Sequence, residues 1–160
     1  MMHTAQHGTV RLSTVEDTWA FGERLGGLLR AGDLVVLAGP LGAGKTMLTQ
    51  GIATGLRVSG QVTSPTFVIS RIHRPDPARC GRFPLVHVDA YRLGGIAEVD
   101  DLDLDATVEE SVTVVEWGQG LVEQLADAHL EVRIGRRDDE TREVTLVPHG
   151  ADWPTRIAGL

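Results

Sequence analysis

A chain of 160 residues is one domain's worth of sequence, long enough to bury a full core without disulfides or metal staples. The net charge of -7 argues against broad electrostatic adhesion to DNA or any other nucleic acid. The single cysteine, Cys80, has no partner for an internal bridge; the opening MMHTAQHG lacks the basic start and apolar run of a secretion signal, and no apolar stretch reaches the roughly 18 residues that span a bilayer. The expectation is a cytosolic, membrane-free protein with a single domain over residues 1–160.

Taken in chain order, the elements alternate between strand and helix. TVRLS alternates like a strand, and Ser13 with Glu16 has capping-box spacing before a helix whose apolar face runs Val15, Trp19, Gly22, Leu25, Leu28 and Leu29. LVVLA, residues 34–38, is a short continuous apolar run of the kind buried on both faces of a parallel sheet. A glycine loop follows at once, and KTMLTQGIATGL reads as a helix closing near Gly55. Next come the strands TFVISRIH and PLVHVDAY, a helical acidic stretch around residues 95–104, the apolar strand VTVVEW and a short helix, GLVEQLADA. HLEVRIG and REVTLVP, joined by the polar RRDDET, read as an antiparallel hairpin appended to the sheet. RPDPARCGRFP has the Pro and Gly content of a surface loop. The fold class is α/β: a single-domain P-loop NTPase with a mostly parallel central sheet, flanking helices and an antiparallel C-terminal hairpin.

The loop GPLGAGKT, residues 39–46, matches G-x-x-x-x-G-K-[ST] between a strand and a helix, which is the context the pattern requires. Gly39, Leu41, Gly42, Ala43 and Gly44 form a cradle in which Gly42 and Gly44 let the backbone curl, so that successive N–H groups point at phosphates. Of the 15 basic residues, Lys45 is the only lysine, and the motif has it reach the β and γ phosphates while the Thr46 hydroxyl ligates magnesium. A compact ammonium on a flexible stem suits that crevice better than a planar guanidinium. Two acids, Asp89 and Glu116, end apolar strands and so fall at the carboxyl edge of the sheet, where the loop also opens. Either acid can hold metal while the other orients or deprotonates the attacking water, and the strands alone do not divide those jobs.

GPLGAGKT, then VTSPTF, then VHVDAYRL, then VVEWG, in that order, resemble the TsaE family over roughly residues 12–147. The resemblance implies a cytosolic Mg-ATPase that works with TsaD-type and TsaB-type proteins to support threonylcarbamoyl transfer to adenosine 37 of tRNAs reading ANN codons. It implies contact with tRNA only through that complex. It further implies that Lys45, Asp89 and Glu116 are catalytic, that Thr46 and Glu116 hold magnesium with Asp89 as a second metal-side or water-side acid, and that Ser64 and Thr66 belong to a switch-like loop facing the γ phosphate. By the same likeness Trp117 lies beside the nucleotide, Val15 near the adenine, and Arg142 resembles a basic residue near the nucleotide. The chain departs from the family pattern at Pro40, where an acid is common, in the acidic VDDLDLDATVEE, and in VEWG, which lacks the usual following proline.

His87 and Asp89, two apart on one strand face, imitate a metal pair, but the six histidines show no closed ligand set and His87 reads as a satisfied strand histidine. Trp19 reads as core, and Trp153 as a packing anchor for the tail. Two other functions fit the loop: a small-molecule kinase using the arginine-rich residues 71–82 as a lid, and a non-catalytic adaptor in which ATP only orders a binding surface. Nothing resembles a built-in arginine finger, so hydrolysis by the isolated chain is expected to be slow.

Overall fold

The computed structural model describes residues 9–39, 44–59, 70–89, 110–116, 128–136, 141–150, 152–158 and 160. Seven strands form one sheet: β1 (Thr9–Leu12), β2 (Leu34–Ala38), β3 (Ser70–His73), β4 (Leu85–Asp89), β5 (Val112–Glu116), β6 (His129–Arg136) and β7 (Arg142–His149). The helices are α1 (Val15–Leu28), α2 (Lys45–Leu56) and α3 (Trp153–Ile157), with a single 3₁₀ turn at Pro77–Arg79. The expected helix around residues 95–104, all but the last residue of the one expected at 120–128, and the first residues of TFVISRIH lie outside the described residues.

The strand order is β1-β7-β6-β2-β5-β4-β3. β2 pairs in parallel with β5 and β6, and β4 in parallel with β5, whereas β1–β7, β6–β7 and β3–β4 are antiparallel. The sheet is therefore mixed, with three pairings of each kind, and not mostly parallel. Apolar runs without alternation, LVVLA and VTVVE, fill the centre, where both faces are covered. Both margins are antiparallel: β6–β7 is the expected hairpin, and β3 returns to β4 through a tight excursion instead of a crossover helix.

One face of the sheet packs on α1 and α2. Phe21, Leu25, Leu29, Leu48, Ile52 and Leu56 meet Val35, Leu37, Val114 and Val132 in a single buried cluster. The alternate residues Leu34, Val36, Val88 and Val115 are buried as well, so the central strands are apolar on both sides. The two helices approach backbone to backbone. A Cβ on Gly22 would lie 2.5 Å from the Leu48 carbonyl, and one on Gly55 only 2.2 Å from that of Glu23. Among the described residues no helix is long and apolar enough to cross a membrane.

Three local expectations shift. The capping box of α1 is Thr14 with Asp17, not Ser13 with Glu16: the Thr14 hydroxyl accepts from the Asp17 amide at 3.0 Å, and the Asp17 carboxylate accepts from the Thr14 amide at 3.2 Å. The buried face of α1 carries Phe21, Gly22, Leu25 and Gly26, and Val15 lies off it, 53% exposed. Trp19 is half-buried at that margin instead of deep in the core. Helix α2 runs past Gly55 to Leu56 and ends on Arg57 in the left-handed region (φ 60°), because Gly55 is spent on the contact with α1. Trp153 does anchor the tail: it is buried in the core cluster, and Arg156 lies 4.2 Å above its ring while pairing with Asp33.

Candidate functional site

The site lies at the carboxyl edge of β2, β5 and β4. β2 ends at Ala38 and passes into Gly39, whose hypothetical Cβ would sit 2.3 Å from the Ile134 carbonyl, so only glycine clears β6 at this exit. Across the turn, Gly44 starts α2 at φ 108° and ψ 17°, a conformation that strains any residue with a Cβ. The N-cap of α2 is Gly44, which has no side chain with which to cap the first turn. The positive end of the helix dipole favours an anion there.

Lys45, the first residue of α2, is 5% exposed and donates from Nζ to the Gly39 carbonyl at 2.7 Å, closing the mouth of the turn. Thr46 follows, half-buried. Parallel register then sets the acids. Leu37 stands opposite Glu116, and Glu116 opposite Asp89, so both acidic strand ends fall beside the β2 exit. Glu116 is 6% exposed and pairs through Oε2 with Nε2 of His87, a residue with no exposed surface. That partnership was not legible in the sequence, although the alternation of LVHVD does put positions 87 and 89 on one face.

On the α1 side of the turn, a concavity of about 180 Å³ is lined by Thr14, Val15, Thr18, Gly44, Met47 and Arg142. The structure thus brings Val15, Gly44 and Arg142 together. β1 pairs Leu12 with Arg142, so the start of β7 and the start of α1 flank the same opening, and a Cβ on Gly44 would lie 3.4 Å from the Arg142 Nε. Thr14, Thr18 and Met47 were not singled out from the sequence; the helical offset from Thr14 to Thr18 and from Gly44 to Met47 was the available signal. Leu41, Gly42, Ala43, Ser64, Thr66 and Trp117 lie outside the described residues.

A mixed central sheet packed against helices, with its middle strand leading into a glycine-started helix, defines an α/β protein. The chain belongs to the TsaE family. Residues 12–144 match the model of the family described as Threonylcarbamoyl adenosine biosynthesis protein TsaE. It is similar to the tRNA threonylcarbamoyladenosine biosynthesis protein TsaE of Streptomyces coelicolor, 56% identical over 139 residues covering 84% of this chain and 92% of the relative. The protein of the same name from Bacillus subtilis is 38% identical over 136 residues, 84% of this chain and 82% of the relative. The crystal structure of Bacillus subtilis YdiB superposes with a TM-score of 0.74 at 31% identity, covering 94% of this chain and 90% of that one.

Proposed function

We propose that this chain is a P-loop ATPase subunit in tRNA threonylcarbamoyladenosine formation, hydrolysing Mg-ATP in complex with TsaD-type and TsaB-type partners and reaching tRNA through that complex. The observation that carries the reading is Lys45, the first residue of α2, bonded back to the Gly39 carbonyl just past the end of β2, whose neighbouring strand β5 ends on Glu116. The donor set fits a magnesium nucleotide: amides and an ammonium for phosphate, a hydroxyl and carboxylates for a hard cation. Among the described residues no three His, Cys, Asp or Glu side chains gather as a closed metal cage.

In this reading the α2 amides and Gly44 receive the phosphates, and Lys45 exchanges its bond with the Gly39 carbonyl for a phosphate oxygen. Thr46 and Glu116 hold magnesium, and Asp89, in register with Glu116, serves the metal or orients the attacking water. The bound ion supplies charge neutralisation on the transferred phosphoryl group. The 180 Å³ concavity, with the apolar Val15 and Met47 and a guanidinium at Arg142, suits the flat heteroaromatic base. With no arginine finger of its own, the chain hydrolyses slowly until its partners complete or order the site.

The kinase alternative needs its arginines to close over the phosphates. Instead, Asp76 donates its amide to the Arg57 carbonyl at 2.9 Å, and Arg57 donates to the Arg79 carbonyl. That ties residues 74–82 to the far end of α2, about 18 Å from Lys45 at 1.5 Å per residue. A lid anchored there does not cover the loop.

Reconstitution with the two partners and tRNA, following ATP consumption and modified adenosine together, tests the proposal. Partner-stimulated hydrolysis that Lys45→Ala abolishes supports it. If Glu116→Gln stops hydrolysis while modified adenosine still accumulates over repeated turnovers, the adaptor replaces the ATPase.

A further inference from the structure

His87 occupies the middle of β4, between Arg71 of β3 and Val114 of β5, with no exposed surface. Its strand neighbours Val86 and Val88 are apolar and buried, and an apolar side chain at 87 would bury as well as they do. The imidazole instead brings a liability: Nδ1 is sealed from solvent without a hydrogen-bond partner. Burying an unpaired polar atom opposes folding, so packing does not explain the residue. Its one polar contact is Nε2 to Oε2 of Glu116.

The partners set the tautomer. A carboxylate oxygen only accepts, so the ring nitrogen that faces it, Nε2, carries a proton and donates to Glu116. Glu116 is left asymmetric: Oε2 is held by His87, while Oε1 makes no hydrogen bond among the described residues and is not among the sealed atoms. A glutamate has three side-chain torsions, and the strand end alone does not choose among its rotamers. A donor locked in the next strand does.

We infer that His87 is a positioning residue, an imidazole donor that holds the Glu116 carboxylate by one oxygen and so presents the other to the divalent cation. The inference rests on the reading of Glu116 as a magnesium-side acid. It follows the general behaviour of metal-binding carboxylates, which are themselves oriented by hydrogen-bond donors whose loss weakens metal binding about 10- to 100-fold.

The test compares His87→Leu with His87→Gln, whose amide N–H can still donate to Glu116. Thr113→Val is the control: Thr113, also buried in the sheet centre with its hydroxyl unpartnered, does not contact Glu116. Manganese affinity of the nucleotide-loaded chain is read by electron paramagnetic resonance, alongside thermal stability and the magnesium dependence of partner-stimulated ATP turnover. His87→Leu is expected to keep or raise the melting temperature while weakening manganese binding about 10- to 100-fold. Its kcat should fall with little change in the KM for ATP, and His87→Gln should recover part of both losses. Manganese binding by His87→Leu equal to the parent's overturns the inference and leaves the ATPase proposal standing. Equal losses in the Leu and Gln variants also overturn it, because the donated hydrogen bond is then not what matters. A parent chain that binds no manganese with ATP and shows no turnover with partners defeats the ATPase proposal and this inference together.

Discussion

Arg156→Ala removes the tie between the C-terminal helix and the body of the domain. The guanidinium donates from Nη1 to Asp33 Oδ1 at 2.9 Å, from Nη2 to Asp33 Oδ2, and from Nη2 to the Leu28 carbonyl at 2.8 Å. Its side chain is 8% exposed and that of Asp33 12%, so both charges are largely out of water. Breaking such a pair from one side leaves an uncompensated carboxylate, a loss of about 3 to 5 kcal/mol. Two details bring the expectation to the lower end. Asp33 Oδ2 keeps the Arg30 amide as a donor at 2.6 Å, and Arg156 Nε is buried without a partner, so the native fork is not fully satisfied. Losing the face of Trp153 adds about 0.5 to 1 kcal/mol. The expected loss is about 3 to 4 kcal/mol, or a melting temperature about 6 to 15 °C lower for a chain of this size. Urea unfolding followed by tryptophan fluorescence measures it, with Arg156→Lys expected to restore less than half, since an ammonium cannot span both Asp33 oxygens and the Leu28 carbonyl. A loss below about 1 kcal/mol with an unchanged urea slope would refute the idea that this pair holds the tail.

Two glycines of the helical layer should respond in opposite directions. Gly55→Ala drives a methyl into the Glu23 carbonyl and should destabilise by at least about 1 to 3 kcal/mol in chemical denaturation, whereas Gly27→Ala, with nothing within 4 Å, should gain up to about 0.5 to 1 kcal/mol. Lys45→Ala should weaken binding of a fluorescent ATP analogue about 10- to 100-fold, the range for one lost charge-assisted bond; unchanged affinity would remove Lys45 from the phosphate site. At Glu131, burial pushes the carboxyl up, but the hydrogen bonds and charges of Arg133 and His149 outweigh it and leave the group below the ordinary 4.5. A depressed folded value stabilises above the unfolded one and fades as pH falls through the folded one. The stability advantage of the parent over Glu131→Gln should therefore hold at neutral pH and shrink below about pH 4.5, as read by thermal melts across an acid series.

The centre of the fold was legible because its residues are unambiguous. LVVLA and VTVVE have no alternation to mislead, and a strand running into GPLGAGKT has few alternatives to a helix starting at Lys45. Reading failed where a decision depended on a distant surface. Ser13 and Thr14 are adjacent capping candidates with acids three residues on, and local pattern does not choose the Thr14 box that the structure uses. Gly55 looks like a helix stop on its own and is a contact residue only once α1 is present. The antiparallel margins depend on strand order, which local pattern does not encode. At the site, the strand ends at Asp89 and Glu116 were readable, but the bond from His87 to Glu116 spans 29 residues and two strands.

Contact between α1 and α2 through bare Cα surfaces also governs the concavity beside Gly44. Val15 and Thr18 ride on one helix and Met47 on the other, and with Gly22, Gly26, Gly51 and Gly55 interlocked the two walls form a single rigid block. Widening that aperture would mean prying apart two main chains that already touch along several turns. For the base proposed to sit there, discrimination is consequently a matter of which side chains line the opening, and exchanges at Thr18 or Met47 are the economical way to retune it.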